Sequence, residues 1–338
     1  MSTYSIKTSW ELPFGAQTQS GGDVRFRVWA PGVEKMSLKI PGSKELVLPM
    51  ERNAEDRFEL TVPNLRPGSD YFYVLDGKRE LPDPASRFQP HGGHGPSRVI
   101  DPESFRWTDD RWKGMPLEDY VLYELHTGTF TPEGTFESII PKLPYLRETG
   151  ITAVEIMPVA AFPGDRNWGY DGVAIYAPQS TYGGPEGLKR FVDACHREGL
   201  AAVLDVVYNH LGPEGNYLAE YGPYFTGSYR TPWGKALNFD GPESDEVRHY
   251  FVNNALYWLT EYHFDALRLD AVHGIFDFGA YHILAEIADE FHAQARELGR
   301  QAFLIAESDL NDVRVIRPPE KGGYDIDAQW HDDFHHSV

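Results

Sequence analysis

The sequence predicts an α/β fold: a (β/α)8 TIM barrel, with about five of its strands present, preceded by an N-terminal β-sandwich domain. Three observations support this prediction. The first hundred residues contain short runs of alternating apolar and polar residues, the later residues contain near-continuous apolar runs separated by amphipathic helices, and each later run becomes polar at its C-terminal end. A chain of 338 residues, 41% of them hydrophobic, is long enough for two domains.

Residues 1–100 are predicted to form an immunoglobulin-like β-sandwich. Alternation with a period of two is typical of strands with one buried face, and Pro and Gly bound each run with no helical pattern between them. A stretch rich in Pro, Gly, Ser and His then leads into a predicted connecting segment at residues 101–117. The predicted strands are VRFRVWAPG (24–32), MSLKI (36–40), ELVLPM (45–50), RFELTV (57–62) and YFYVLDG (71–77).

Residues 118–338 are predicted to form the N-terminal part of the barrel. Amphipathic helices are expected at 185–199, with Pro185 in the first turn, and at 244–262, with Ser244 as the cap. A closed barrel needs eight strands, so we expect this sequence to be part of a longer protein. The predicted strands are YVLYELH (120–126), ITAVEIMPV (151–159), LAAVLDVVYNH (200–210), FDALRLDAV (264–272) and QAFLIAES (301–308).

The polar residues at the strand ends favour a barrel over an open doubly wound sheet. In a barrel, these C-terminal ends converge on one face, where the active site is built. The chain has no G-x-G-x-x-G or P-loop motif that would indicate a nucleotide-binding sheet. The residues expected to meet are Glu124, His126, Glu155, Asp205, Asn209, His210, Arg268, Asp270, His273, Glu307 and Asp309.

Composition restricts the partners that we expect. The formal net charge of -20 argues against binding to nucleic acid or to an anionic membrane surface, since both would repel the protein. Cys195 is the only cysteine, and the first residues lack the basic start and apolar run of a secretory signal. We therefore expect a cytoplasmic protein that acts on a neutral substrate. The sequence does not specify its oligomeric state.

Two carboxylates and one arginine indicate glycoside chemistry. A retaining glycosidase needs an ionised carboxylate as nucleophile and a second, protonated carboxyl group as acid. Asp270 suits the first role because Arg268 is close in sequence, and Glu307 suits the second if the apolar residues around it remove water. The alternative is that these residues form structural ion pairs at the rim of the barrel.

Three motifs resemble the first three conserved regions of the alpha-amylase superfamily, in their usual order: DVVYNH (205–210), ALRLDAVH (266–273) and LIAES (304–308). The resemblance implies that Asp270 is the nucleophile and Glu307 the general acid/base. By the same resemblance, Asn209 corresponds to a calcium-contacting position in many amylases. We do not see the other calcium ligands in the sequence, so we predict that no metal or other cofactor is required. Supporting or substrate-binding roles are implied for Arg268, Asp205, His210, His273 and Tyr170.

The N-terminal WAPG and YFYVLDG runs resemble the module that precedes the barrel in branching, debranching and trehalose-forming members. The runs DALRLDAVHGI, LIAESDLN and AQWHDDFHHSV resemble trehalose-releasing members most. This resemblance implies a maltooligosyltrehalose, or a related α-1,4-glucan, as substrate, cleaved next to its terminal trehalose. A glucan branching enzyme and a non-catalytic glycan-binding protein are the alternatives.

Two further groups are candidate substrate contacts. WHDDFHH (330–336) could bind a metal, contact sugar hydroxyls or form a solvated loop, and we favour sugar contacts. Asp332 and Asp333 lack the setting of the superfamily's third catalytic carboxylate, which we expect beyond residue 338. Aromatic residues in loops rich in Gly and Pro are expected in part to line a glycan groove. The candidates are Asp309, His331, Asp332, Asp333, Trp168, Tyr170, Tyr176, Tyr221, Tyr224, Phe225, Tyr229 and Trp233.

Overall fold

The N-terminal part of the chain is a two-sheet β-sandwich in the computed structural model, which describes residues 10–331 and residue 337. One sheet has the strand order β1-β2-β6-β5, and the other has the order β4-β3-β7-β8, with β9 paired to β7. The five predicted strands of this region are confirmed. The strands are β1 (Gly15–Thr18), β2 (Val24–Trp29), β3 (Met36–Ile40), β4 (Leu46–Pro49), β5 (Glu51–Arg52), β6 (Arg57–Val62), β7 (Asp70–Leu75), β8 (Arg79–Leu81) and β9 (Ser97–Arg98).

Six parallel strands follow in the order β10-β11-β14-β17-β18-β19, the arrangement of an (α/β)-barrel sheet. Two antiparallel hairpins, β12-β13 and β15-β16, extend from it. The five predicted barrel strands are confirmed, and β19 is an additional one. The bounds are β10 (Leu122–Leu125), β11 (Ala153–Ile156), β12 (Ala160–Ala161), β13 (Ala174–Pro178), β14 (Ala201–Val206), β15 (Phe225–Thr231), β16 (Gly234–Leu237), β17 (Ala266–Leu269), β18 (Phe303–Ser308) and β19 (Ala328–His331).

Helices cover the sheet and connect its strands. The two predicted helices are confirmed, but Ser244 is the first helical residue and not the cap, because the left-handed Glu243 precedes it without a capping hydrogen bond. The apolar stripe of the helix at Gly184–Arg197 faces the core, as expected of an amphipathic helix. The helix at Ser244–Glu261 is instead buried on most sides from Tyr250 to Leu259, so its predicted amphipathic character is wrong. The helices are α1 (Thr127–Phe130), α2 (Phe136–Ile139), α3 (Leu143–Glu148), α4 (Gly184–Arg197), α5 (Leu218–Tyr221), α6 (Ser244–Glu261) and α7 (Ile283–Leu298).

Polar and aromatic contacts connect the sandwich to the barrel. The hydroxyl groups of Tyr221 and Tyr250 donate to the carbonyl oxygens of Pro82 (2.8 Å) and Pro84 (2.7 Å). Tyr221 is therefore a core residue, and Tyr176 and Tyr224 are buried as well, so these three pack in the core and the expectation that part of the aromatic set lines a groove rests on the other members. The limits of the domains at residues 100 and 118 stay a prediction.

The side chains on the inner side of the parallel sheet change from apolar to charged along the strands. Small apolar residues fill its lower part, namely Ala153, Ala201, Val203, Ala266 and Ile305. Charged residues follow at the C-terminal ends of the same strands, where the candidate site lies. No helix in the described part of the chain combines the length and apolar character that crossing a bilayer requires.

Candidate active site

Strand register brings the predicted polar residues together. Asp205 on β14 pairs directly with Arg268 on β17, and the backbone N–H of Asp270 donates to the carbonyl oxygen of Val206 (3.0 Å). Glu307 lies near the end of β18, the next strand of the sheet. The parallel sheet thus places three carboxylates around one guanidinium, as the convergence of strand ends predicts.

Arg268 is the centre of this cluster. Its Nη1 donates to Asp205 Oδ2 (2.7 Å) and to Asp270 Oδ1 (2.9 Å), and its Nη2 lies 3.6 Å from Glu307 Oε2. The guanidinium carbon lies 5.4 Å from the centre of the Trp330 ring. Although burial opposes the charge, the carboxylates of Asp205 and Asp270 raise the pKa of Arg268 above its ordinary value. The side chain is therefore a permanent, buried cation.

Asp270 is held in place by a second donor that faces its other oxygen. Asn209 Nδ2 donates to Asp270 Oδ2 (2.9 Å) and to the Asp270 carbonyl oxygen (2.8 Å). Its Oδ1 in turn contacts Nδ1 of His210. The sequence suggested Asn209 only as a possible calcium contact, whereas the structure makes it a partner of Asp270. With donors on both oxygens, the carboxylate has a fixed orientation.

Ala271 and Glu307 are joined by a short hydrogen bond. Ala271 has a left-handed backbone (φ 41°), unusual for a residue with a Cβ atom, and its N–H donates to Glu307 Oε2 (2.6 Å). The Glu307 side chain is 25% exposed and also faces Arg268. Our expectation of apolar surroundings for Glu307 is therefore wrong: a backbone donor and a guanidinium face this carboxyl group. In FLIAES, Leu304 and Ala306 point to the other side of the strand because strand side chains alternate, while Ile305 lies below Glu307 on the inner side.

Asp205 is buried beside the cluster. Its Oδ2 accepts hydrogen bonds from Arg268 and from the hydroxyl group of Tyr170 (2.9 Å). Burial raises the pKa of Asp205 to about 8, against the opposing effect of Arg268. Burial and the nearby Asp205 also raise the pKa of Tyr170, so this hydroxyl stays protonated and donates. Tyr170, expected as a sugar platform, is thus connected to the carboxylate cluster as well.

The remaining predicted residues lie at different distances from this centre. The His210 ring is stacked on Trp233 (ring centres 5.6 Å apart), and His273 Nδ1 lies 3.3 Å from Asp309 Oδ1. Trp168 is 73% exposed. His331 pairs with Ser308 as the last residue of β19, so WHDDFHH begins as a strand, while Asp332 and Asp333 lie outside the described residues. The roles assigned to all these side chains stay predictions.

A group of three acidic residues invites comparison with a metal site. Oxygen atoms of Glu124, Glu155 and Asp205 lie within 4.8 Å of one another. Arg268 already pairs with Asp205, and its positive charge disfavours a divalent cation at that carboxylate. The arrangement therefore does not require a metal, and the prediction of no metal or cofactor stays a prediction. Glu155, fully buried at this point, was not selected from the sequence as a site residue.

Comparisons with known families match both parts of the chain. Residues 13–102 match carbohydrate-binding module 48, described as the isoamylase N-terminal domain, and residues 99–231 match the alpha-amylase catalytic domain. The two matches follow each other in the order of the sandwich and the barrel. The chain belongs to the alpha-amylase superfamily. The architecture predicted from the three motifs is thereby confirmed.

Curated relatives in the superfamily extend the likeness over almost the whole chain. The malto-oligosyltrehalose trehalohydrolase of Saccharolobus solfataricus is 52% identical over 97% of this chain and 56% of its own length. The malto-oligosyltrehalose trehalohydrolase of Arthrobacter ramosus is 51% identical over 93% of this chain and 55% of its own length. The 1,4-alpha-glucan branching enzyme GlgB of Pseudoalteromonas atlantica is 29% identical over 96% of this chain and 51% of its own length. The chain spans about half the length of the curated relatives that it matches.

Solved structures show the same superfamily architecture. A Salmonella typhimurium protein described as an alpha amylase is 45% identical, with a TM-score of 0.90, over 97% of this chain and 55% of its own. A pullulanase from Anoxybacillus, complexed with maltotetraose, is 24% identical, with a TM-score of 0.74, over 89% of this chain and 50% of its own. The second likeness is one of fold alone.

Proposed function

We propose that this chain carries the catalytic groups of a retaining glycoside hydrolase that cleaves the α-1,4 bond next to the terminal trehalose of maltooligosyltrehalose. The observation that carries the proposal is the 52% identity, over 97% of the chain, to a relative with that activity in its name. The site geometry supports it. Asp270 and Glu307 face the same guanidinium, which keeps the two carboxyl groups near each other. Retaining enzymes need such a short separation between their two catalytic carboxyl groups.

The proposed reaction assigns one task to each carboxyl group. Asp270 attacks the anomeric carbon while Glu307 protonates the departing glycosidic oxygen, so that trehalose leaves and a glycosyl ester forms on Asp270. Glu307 then removes a proton from water, which attacks the same carbon and releases Asp270. Arg268 and Asn209 orient the nucleophile by a charge and by hydrogen bonds.

Substrate contacts and location complete the proposal. Trp168, largely exposed, and Trp233, beside His210, are suited to stack on sugar rings along the cleft. The sandwich would bind the same α-1,4-glucan, as carbohydrate-binding module 48 suggests. A cytoplasmic location is supported by Cys195, which is buried and is the only cysteine, and cell fractionation with an antibody would test it.

Product analysis tests the proposal directly. The full-length protein would be incubated with maltooligosyltrehalose and, in parallel, with plain maltooligosaccharide of equal length, and free trehalose would be quantified. We expect trehalose from the first substrate and much slower hydrolysis of the second. Equal hydrolysis of both would contradict the trehalose-releasing assignment while leaving the two carboxylates in their roles.

A glucan branching enzyme is the second candidate, because GlgB is related along 96% of the chain. In that reaction a sugar hydroxyl replaces water in the second step, and new α-1,6 linkages would appear in the product analysis. A non-catalytic glycan-binding protein is the third candidate. Unchanged turnover in Glu307→Gln, with glycan binding retained, would support it.

A further inference from the structure

Glu155 is a buried acid for which the proposed reaction has no use. It lies on β11, its side chain is fully buried, and neither carboxyl oxygen has a hydrogen-bond partner among the residues that the structure describes. Isolated buried carboxylates are strongly unfavourable, and those found in proteins are paired, hydrogen-bonded or protonated. A proton on Glu155 would remove that charge and create an O–H donor that needs an acceptor.

Asp205 has an acceptor oxygen that such a donor could reach. Its Oδ1 is buried and is also without a hydrogen-bond partner among the described residues, whereas its Oδ2 accepts from both Arg268 and Tyr170. An oxygen of Glu155 lies within 4.8 Å of an oxygen of Asp205, so a small side-chain rotation would bring the two into hydrogen-bond contact. One shared proton would provide a hydrogen-bond partner for Asp205 Oδ1 and for one of the two Glu155 oxygens.

The charges around Glu155 agree with this arrangement. The groups that face it are Glu124 from β10, Asp205 from β14 and Arg268 from β17. Burial, and then the negative charge of Asp205, raise the pKa of Glu155 well above its ordinary value, and Arg268 only partly opposes them. Arg268 is committed to Asp205 and Asp270, so it does not neutralise Glu155.

We propose that Glu155 and Asp205 share one buried proton, and that Glu155 thereby acts as a positioning residue for Arg268. The proton fixes Oδ1 of Asp205, which leaves Oδ2 to hold the guanidinium that orients Asp270. Glu155 contacts neither the nucleophile nor Glu307 by a hydrogen bond. Its effect on turnover rests on the function proposed above, whereas the shared proton does not.

Infrared spectroscopy of the full-length protein tests the proton without using the reaction. At about pH 9, above the pKa of about 8 of Asp205, the difference spectrum between the wild type and Glu155→Gln should contain one carboxylic-acid carbonyl band, because in the variant an amide N–H donates to an ionised Asp205. Any proton on Glu307 contributes equally to both spectra and cancels. Glu124→Gln, which changes the exposed neighbour on β10, is the matched control and should keep the band. The proposal is overturned if the band is unchanged in Glu155→Gln, or if the band is lost in Glu124→Gln instead.

Kinetics test the positioning role. Glu155→Gln keeps the shape and a donor, so its kcat should stay close to that of the wild type. Glu155→Leu removes the donor and should lower kcat by roughly tenfold to a hundredfold with little change in KM, the effect of one hydrogen bond to a charged group. Equal kcat losses in the Gln and Leu variants, or a change confined to KM, contradict the positioning role.

A measurement on the wild-type protein needs no variant. The acid band should shift when the protein is transferred to deuterated water and should disappear on alkaline titration while the fold is retained. A wild-type protein without any carboxylic-acid band at about pH 9, above the pKa of about 8 of Asp205, contradicts the shared proton. If the band behaves as expected but no trehalose is released, the shared proton stands and only the proposed function is wrong.

Discussion

At the residue scale, Arg268 orients the carboxylate of Asp270 through a hydrogen bond of 2.9 Å. The alternation of polar residues in ALRLDAV places Arg268 and Asp270 on the same side of β17, and the sequence alone therefore predicts their contact. Asn209 and Ala271 could not be assigned in this way, because their contacts depend on the turns after β14 and β17. Glu155 could be placed at a strand end, but its lack of partners only becomes visible in the folded chain.

Asp270→Asn is the residue-scale test of the nucleophile. The amide is nearly isosteric but cannot attack the anomeric carbon, so we expect kcat to fall by at least about 10⁴-fold while KM changes modestly. Steady-state kinetics with maltooligosyltrehalose would measure both constants, with circular dichroism as the control for folding. Turnover close to that of the wild type would remove Asp270 from the nucleophile role.

Ala271→Gly tests whether the left-handed backbone stores strain. Glycine adopts a φ of 41° without the Cβ penalty, so we expect the free energy of unfolding to rise by about 1 kcal/mol. We also expect a lower kcat, because the N–H that faces Glu307 becomes less well fixed. Urea unfolding and kinetics would measure the two effects.

The exposed Asn64, which also has a positive φ (54°), provides the matched control for that substitution. Asn64→Gly should change stability without changing kcat, since it lies in a turn of the sandwich. A decrease in kcat in both variants would show that the effect is not specific to the site.

At the element scale, His196 connects α4 to two other segments. Its Nδ1 faces Asp109 Oδ2 (2.8 Å) and its Nε2 faces Asp265 Oδ2 (3.0 Å), and the side chain is fully buried. Both ring nitrogens therefore act as donors, which requires the charged imidazolium. Burial opposes this charge, but Asp265 and Asp109 raise the pKa of His196 above its ordinary value. The connecting segment is thus tied to the bottom of the barrel by an ion pair.

The stability of this connection should depend on pH. Because the pKa of His196 is higher in the folded than in the unfolded chain, its contribution is complete below the unfolded value of about 6.5 and is lost as the pH rises through the folded value. Urea unfolding at a series of pH values would measure it. His196→Gln should lower stability by about 3 kcal/mol below pH 6.5 and by less at alkaline pH. The exposed His91→Gln is the control and should show no such trend.

One of the elements that the sequence did not predict is β19. AQWH is only four residues long and is followed by a cluster of histidines and aspartates, which indicated a loop or a binding motif. Its pairing with β18, from Ile305 opposite Ala328 to Ser308 opposite His331, is a long-range contact that no local pattern specifies. The longer strands could be predicted because their apolar runs are continuous.

At the scale of the whole molecule, the sandwich and the barrel share a buried ion pair. Arg87 Nη2 lies 2.6 Å from Glu261 Oε1, both side chains are largely buried, and Arg87 Nη1 donates to the carbonyl oxygen of Ala16 (2.7 Å). The sequence predicted two domains but could not predict how they meet, since Arg87 and Glu261 are far apart in the chain and neither belongs to a motif.

Arg87→Leu should destabilise the whole molecule. Removal of one partner leaves a buried carboxylate at Glu261 unpaired, and we expect a loss of about 3–5 kcal/mol. Arg79→Leu is the matched control, because Arg79 and Glu220 form an exposed pair between the same two parts, which should contribute about 0–1 kcal/mol. Calorimetry would compare the two. Equal decreases in Tm would contradict the importance of the buried pair.

Because Arg268 is buried, we expect the geometry of the site to be insensitive to salt concentration. Dissolved ions shorten the Debye length from about 8 Å at physiological ionic strength to about 3 Å at 1 M, and they weaken interactions between exposed charges. The guanidinium is only 6% exposed and its carboxylate partners are within hydrogen-bond distance, so no ion shell can form between them. Concentrated salt will screen the net charge of -20 on the surface, while the nucleophile keeps its orientation.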